Sequence, residues 1–176
     1  LTKILGGTLL KENSSKAVTF VDNHDTQPGQ SLTSYVERWF KLSAYAIILL
    51  RNEGYPSVFY GDLYGIQHDN IEPVEGLKDL IDFRKEKAYG EEHDYFDNPH
   101  CIGWTREGDI EHIKSGLAVL ISNQADCEKR MYIGTNMAGE KFIDTVGEVD
   151  EDVYIDEEGY GIFKVKAKSL SVWINA

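Results

Sequence analysis

Proline, cysteine and positive charge are all scarce in this sequence, and each scarcity removes a class of protein. Four prolines and no low-complexity tract argue against a long disordered linker. Two cysteines, Cys101 and Cys127, are too few for a disulfide framework; buried free thiols are the expected state, with a single bridge between them as the alternative. Lysine and arginine total 18 against 30 aspartate and glutamate, a formal net charge of −12. Such a surface repels nucleic-acid phosphates and anionic lipid headgroups, so no nucleic acid and no membrane is an expected partner. The longest uninterrupted apolar run, residues 44–50, is far too short to span a bilayer. No signal-peptide pattern opens the chain. Leu1 rather than Met stands first, which points to further sequence upstream and leaves secreted and cytoplasmic locations equally open.

What remains is a chain of 176 residues, 41% hydrophobic and 11% aromatic, enough for one sizeable domain or a small domain joined to part of another. Its first half alternates strand and helix. Residues 17–22 form a short β-branched, apolar run suited to a buried parallel strand. Residues 31–53 predict a long helix, with Ser31 as N-cap and Gly54 in the left-handed position past its end. Leu32, Tyr35, Val36, Trp39 and Phe40 recur in it at helical spacing, which places Trp39 in the core. Residues 56–60 predict a second buried strand, and residues 74–88 a second helix followed by Gly90. Two βα units can neither close a barrel nor cover both faces of a sheet, so upstream sequence has to complete them.

From about Tyr95 the period falls to two. Residues 102–106, 117–123, 129–133, 142–146, 160–165 and 169–174 predict short strands separated by turns such as Glu107-Gly108-Asp109 and Ala138-Gly139-Glu140. Strands at this spacing, without helices between them, predict an antiparallel sandwich. The acidic runs Asp150-Glu151-Asp152 and Asp156-Glu157-Glu158 read as solvated loop.

The residues with chemistry follow the first strand directly, in Phe20-Val21-Asp22-Asn23-His24-Asp25. Polar groups at the C-terminal end of a parallel strand stand where βα folds place their active sites. A carboxylate there can hold a developing positive charge, while an imidazole and an amide can hydrogen-bond sugar hydroxyls. Cleavage of a glycosidic bond passes through an oxocarbenium-like state that needs such charge in place. Asn and Asp are also common turn formers and caps, and an isolated Asn-His-Asp is more often structural. The wider context decides between the two.

That context is a resemblance to a family. Phe20-Val21-Asp22-Asn23-His24-Asp25 resembles the segment of the α-amylase family that follows the seventh barrel strand, and Gly54-Tyr55-Pro56-Ser57-Val58-Phe59-Tyr60-Gly61-Asp62 resembles its eighth strand. His93-Asp94-Tyr95-Phe96-Asp97 and Ile102-Gly103-Trp104-Thr105-Arg106-Glu107-Gly108 resemble the opening of the C-terminal β-sandwich of bacterial liquefying amylases. The similarity runs in order along nearly the whole chain. It implies an α/β plus all-β fold: the last two βα units of a TIM-type (β/α)8 barrel in residues 1–92, then an antiparallel β-sandwich in residues 93–176.

The resemblance also implies roles. Asp25 matches the third carboxylate of the catalytic set, which stabilises the transition state, and His24 matches a histidine that contacts the same sugar ring of an α-glucan. Asn23 is read as orienting the turn, and Asp62 and Tyr64 either line the same face or are structural. In this family the nucleophilic Asp and the general-acid Glu stand on earlier strands, about 5 Å apart for a retaining mechanism. No segment here resembles the motifs that hold them. The expectation is therefore part of a retaining, endo-acting α-1,4-glucan hydrolase that is inactive in isolation and depends on the upstream barrel portion of the same protein.

Related amylases hold structural calcium, in some cases near the barrel–sandwich junction. Here that junction reads Asp97-Asn98-Pro99-His100-Cys101, where hard oxygen ligands are sparse. No metal and no cofactor is expected in this segment, with calcium left to the full-length parent. Pro28 stands where chloride-activated amylases carry an arginine. His68, His93, His100 and His112 show no zinc-ligand spacing. Trp104 and Trp173 lie in strand patterns, where inward packing is the default rather than sugar stacking. Three other functions stay open: a transglycosylase on the same framework, a carbohydrate-binding sandwich without catalysis, and a sandwich whose role is structural.

Overall fold

The computed structural model describes residues 1–176, which fold as two units, Leu5–Asp82 and Phe83–Ala176, the latter joined by Leu1–Ile4. In the first unit, helix α1 (Leu9–Glu12) starts where Thr8 Oγ1 accepts the amide of Lys11 at 3.3 Å. Strand β1 (Val18–Thr19) is followed by a long excursion, then helix α2 (Arg38–Leu50) and strand β2 (Tyr55–Pro56). Helices α3 (Tyr60–Tyr64) and α4 (Leu77–Glu86) follow, α4 leading out of the unit. β1 and β2 pair in parallel, Val18 with Tyr55 and Thr19 with Pro56. Gly54 precedes β2 at a φ of +79°, and a Cβ there would stand 2.7 Å from Leu10 Cδ1 and 3.2 Å from the carbonyl oxygen of Ala17. The core of the unit is made by Leu10, Ala17, the run Tyr45 to Leu50, Leu77 and Leu80, all buried.

Several expectations for this half need correction. α2 begins at Arg38, not at Ser31. The chain before it folds back instead: Ser34 donates to the carbonyl of Thr26 at 2.9 Å and Val36 to the side chain of Asp22 at 3.1 Å, so amides that a helix would use are committed elsewhere. The strands are two residues each, and Val18 and Phe20 are exposed rather than buried. Beyond Pro56 the chain turns into α3 instead of extending to Tyr60. Trp39, in the first turn of α2, is 53% exposed in this chain rather than packed in its core. Periodicity marks a face of a helix but not what lies over it.

The second unit is antiparallel. Its strands are β3 (Glu92–Asn98), β4 (Cys101–Arg106), β5 (Leu117–Ser122), β6 (Cys127–Tyr132), β7 (Lys141–Asp144), β8 (Val153–Tyr154), β9 (Tyr160–Val165) and β10 (Leu170–Asn175). Six form a sheet in the order β3-β4-β5-β10-β7-β8, and β6 pairs with β9. β4 and β5 are buried at every position, as strands covered on both faces must be, with Ile102 opposite Ile121 and Trp104 opposite Val119. Ala118, Leu120, Met131, Phe142, Phe163 and Trp173 share one apolar cluster, where the rings of Phe142, Phe163 and Trp173 meet edge to face at centroid distances of 6.0 and 5.8 Å. Trp104 and Trp173 are fully buried.

Cys101 of β4 and Cys127 of β6 form a disulfide with Cα atoms 6.5 Å apart, which corrects the expectation of free thiols. A sequence separation of 26 does not reveal that these two strands face each other. No helix is long and apolar enough to cross a membrane.

Candidate functional site

Beyond Thr19 the chain leaves β1 with a polar turn whose shape is set by Asn23. Its side-chain oxygen accepts the amides of Asp25 at 2.9 Å and Thr26 at 3.1 Å, and Thr26 Oγ1 accepts the amide of Asn23 at 3.1 Å. Asn23 therefore spends its side-chain oxygen and its backbone amide on the turn. What the turn projects outward is His24 and Asp25, with side chains 83% and 58% exposed and His24 Nε2 lying 3.5 Å from Asp25 Oδ1. An outward carboxylate beside an imidazole, both carried by a hydrogen-bonded turn, can meet a hydroxylated, cation-developing substrate without rearranging the chain.

Asp22, one residue earlier, points the other way. It is buried, and its Oδ1 accepts the amide of Val36. Lys41 Nζ lies 2.5 Å from Asp22 Oδ2 and 2.8 Å from Asp62 Oδ1, while the hydroxyl of Tyr45 donates to Asp62 Oδ2 at 2.6 Å. Asp62, left open between site and scaffold by the sequence, is thus a buried structural group, and Tyr64 is exposed with its ring 4.9 Å from that of Tyr60. The network was missed because Lys41 reads as an ordinary polar helix position. The available signal was a lysine one turn before the wholly apolar stretch of α2, with an aspartate following each of the two strands.

The excursion between Asp22 and α2 has a second anchor. Gln27 is buried and donates from Nε2 to Asp69 Oδ2 at 2.9 Å. A cleft of about 300 Å³ opens beside it, lined by Pro28, Tyr35, Arg38, Lys41, Ile71 and Glu75 among others; His24 and Asp25 are not among its walls.

The second unit gathers different groups. Glu91, His93 and Glu107 bring metal-ligating atoms within 4.8 Å of one another. Spacing did not reveal them, because Glu107 reaches the group across the β3–β4 pair. His93 Nε2 is already hydrogen-bonded to Glu107 Oε1 at 2.5 Å. At the segment Asp97-Asn98-Pro99-His100-Cys101, Asp97 is paired with the ammonium of Lys129, and Asn98 Oδ1 accepts the amide of His100 at 2.8 Å. The Lys129 hydrogen bond, the leading influence, holds the Asp97 carboxyl below the usual carboxylate range. Asp97 and Asn98 are thus each engaged by a neighbouring residue. Among the aromatics, Arg130 lies 3.7 Å over the ring of Tyr160 and also binds Asp156 at 2.9 Å, so that ring face is already occupied. Trp104 and Trp173, buried in the core, are not sugar platforms.

Compared with known proteins, residues 117–174 match the family described as alpha-amylase C-terminal. The chain is 49% identical to an α-amylase of Bacillus licheniformis, over 99% of its own length and 35% of that protein's. It is 50% identical to an α-amylase of Geobacillus stearothermophilus, over 97% of itself and 31% of the relative. To the cytoplasmic α-amylase of Escherichia coli strain K12 it is 40% identical, over 99% and 37%. The chain thus spans about a third of the length of the curated relatives it matches. Crystal structures of AmyP with maltotriose and of the α-amylase of Geobacillus thermoleovorans with acarbose share its fold, with TM-scores of 0.55 and 0.53 at 10% and 14% identity. They cover 90% and 89% of this chain, which covers 40% and 38% of theirs.

Proposed function

We infer from the chain's membership of the α-amylase family, to the C-terminal part of whose members it corresponds, that it supplies one carboxylate of a sugar-cleaving site. The reading is a retaining, endo-acting α-1,4-glucan hydrolase in which Asp25 stabilises the oxocarbenium-like transition state and His24 contacts the same sugar. The observation that carries it is the outward pair His24–Asp25, held by the Asn23 turn at the end of a strand in a parallel pair. The nucleophile and the general acid come from sequence upstream, and together they perform the two displacements that retain configuration. A single exposed carboxylate can do neither step alone.

Unit Leu5–Asp82 is read as the last two βα units of the barrel. In support, its two strands run parallel, and Val18, Phe20, Trp39, Tyr55, Tyr60 and Tyr64 leave apolar surface exposed that further barrel strands and helices would cover. The sandwich has a structural role in this reading, since its tryptophans are spent on its core. Relatives named as α-amylases, and structural neighbours that hold maltotriose and acarbose, support an α-glucan or oligosaccharide as substrate.

Proton NMR of maltooligosaccharide cleavage by the full-length protein tests this reading. Newly formed reducing ends should appear first as the α-anomer and with net hydrolysis. Initial β-anomer would remove the retaining mechanism, and disproportionation without net hydrolysis would make the protein a transglycosylase.

A further inference from the structure

We propose that Lys41 is a positioning residue for this site, its ammonium clamped between the carboxylates of Asp22 and Asp62 so that the turn bearing His24 and Asp25 leaves β1 at a fixed height and angle. The proposal rests on the reading of Asp25 as the transition-state carboxylate. Asp22 is bonded covalently to Asn23, the residue that shapes the turn. Its two oxygens do two jobs: Oδ1 takes the amide of Val36, closing an excursion of 14 residues, and Oδ2 takes Lys41. One buried carboxylate therefore ties both ends of the excursion to the first turn of α2.

The other side of the clamp reaches the second strand. Asp62 is held by Lys41 and by Tyr45, and the same Tyr45 hydroxyl accepts the amide of Phe59 at 3.4 Å. α2 thus grips the chain beyond β1 through Lys41 and the chain beyond β2 through Tyr45. Asp22 and Asp62 are 2% and 1% exposed. Without the ammonium, two desolvated carboxylates would converge on one point, and the chain after β1 would have to move to separate them or admit water. An apolar side chain could fill the volume of Lys41 but could not direct Asp22. The Gln27–Asp69 bond lies beyond the turn, whereas Asp22 lies on its β1 side.

The test uses the full-length protein and separates positioning from stability. Lys41→Met should lower kcat on maltooligosaccharides by about 10- to 100-fold, the scale of a displacement near 1 Å, with KM little changed when assayed well below its unfolding temperature. The triple variant Asp22→Asn, Lys41→Met, Asp62→Asn removes every charge of the clamp, so no carboxylate is left buried and unpaired. Its unfolding temperature should return close to that of the wild type while kcat stays low. Recovery of kcat in step with unfolding temperature, or a wild-type kcat for Lys41→Met, would overturn the proposal. Asp25→Asn assayed alongside tests the underlying reading separately: a wild-type rate there removes the site, whatever the Lys41 variants show.

Discussion

At Lys41, burial and pairing oppose each other, and their balance sets the sign of a pH effect. Desolvation disfavours the ammonium and is the largest single influence, but the hydrogen bonds to Asp22 and Asp62, with the attraction of both carboxylates, together outweigh it and raise the lysine pKa. Burial and the bond to Asp62 also push the Tyr45 phenol upward, keeping it a donor. The folded state then holds the lysine proton more tightly than the unfolded chain does. The resulting stabilisation is fully present below the unfolded lysine pKa and is lost as pH rises through the folded value, above about pH 10. Lys41→Met should cost about 3–5 kcal/mol at neutral pH, and urea melts should show that difference shrinking above about pH 10. A difference that stays constant across that range would contradict the charge pairing. Gly90 makes a second prediction at a single residue. Its φ is +81°, and a Cβ there would stand 2.1 Å from the carbonyl oxygen of Gly108. Gly90→Ala should therefore destabilise the second unit by about 2–4 kcal/mol, read as a lower denaturant midpoint; an unchanged midpoint would show that the two loops can part cheaply.

Elements of the sandwich were the most legible part of the chain. The strand expected at residues 160–165 is β9 itself, and the one at residues 117–123 extends a single residue past β5. Their apolar runs and flanking turns carry the information locally, because a strand's faces follow from its own side chains. β3 was largely missed. Glu92-His93-Asp94-Tyr95 has little apolar character, and it becomes a strand through its pairing with β4. The start of α2 was missed for a related reason: the amides of Ser34 and Val36 find partners fourteen or fewer residues away that no helical pattern discloses. The disulfide is likewise a property of strand packing. Joining β4 to β6 across a separation of 26 residues, it should contribute about 3 kcal/mol by restricting the unfolded chain. A Cys101→Ser, Cys127→Ser double variant should melt at correspondingly lower denaturant, and wild-type protein under reducing conditions should shift with it. Equal midpoints for oxidised and reduced protein would rule that contribution out.

For the molecule as a whole, the candidate site was legible as a motif and illegible as a set of contacts. Asn23-His24-Asp25 could be picked out because the residues around it resemble a family segment, whereas the buried contacts of Lys41 with Asp22 and Asp62 are brought together only by folding. The chain spans about a third of its relatives' length, and in the proposed reading the nucleophile and the general acid lie outside it. The isolated chain of 176 residues should accordingly release no reducing sugar from starch, and measurable release would mean that a nucleophile and an acid exist within it. The most direct measurement is the turnover of maltooligosaccharide by the full-length protein carrying Asp25→Asn. If Asp25 stabilises the oxocarbenium-like transition state, kcat falls by about 10²- to 10³-fold while the protein keeps its wild-type unfolding temperature. A kcat near that of the wild type would contradict the account.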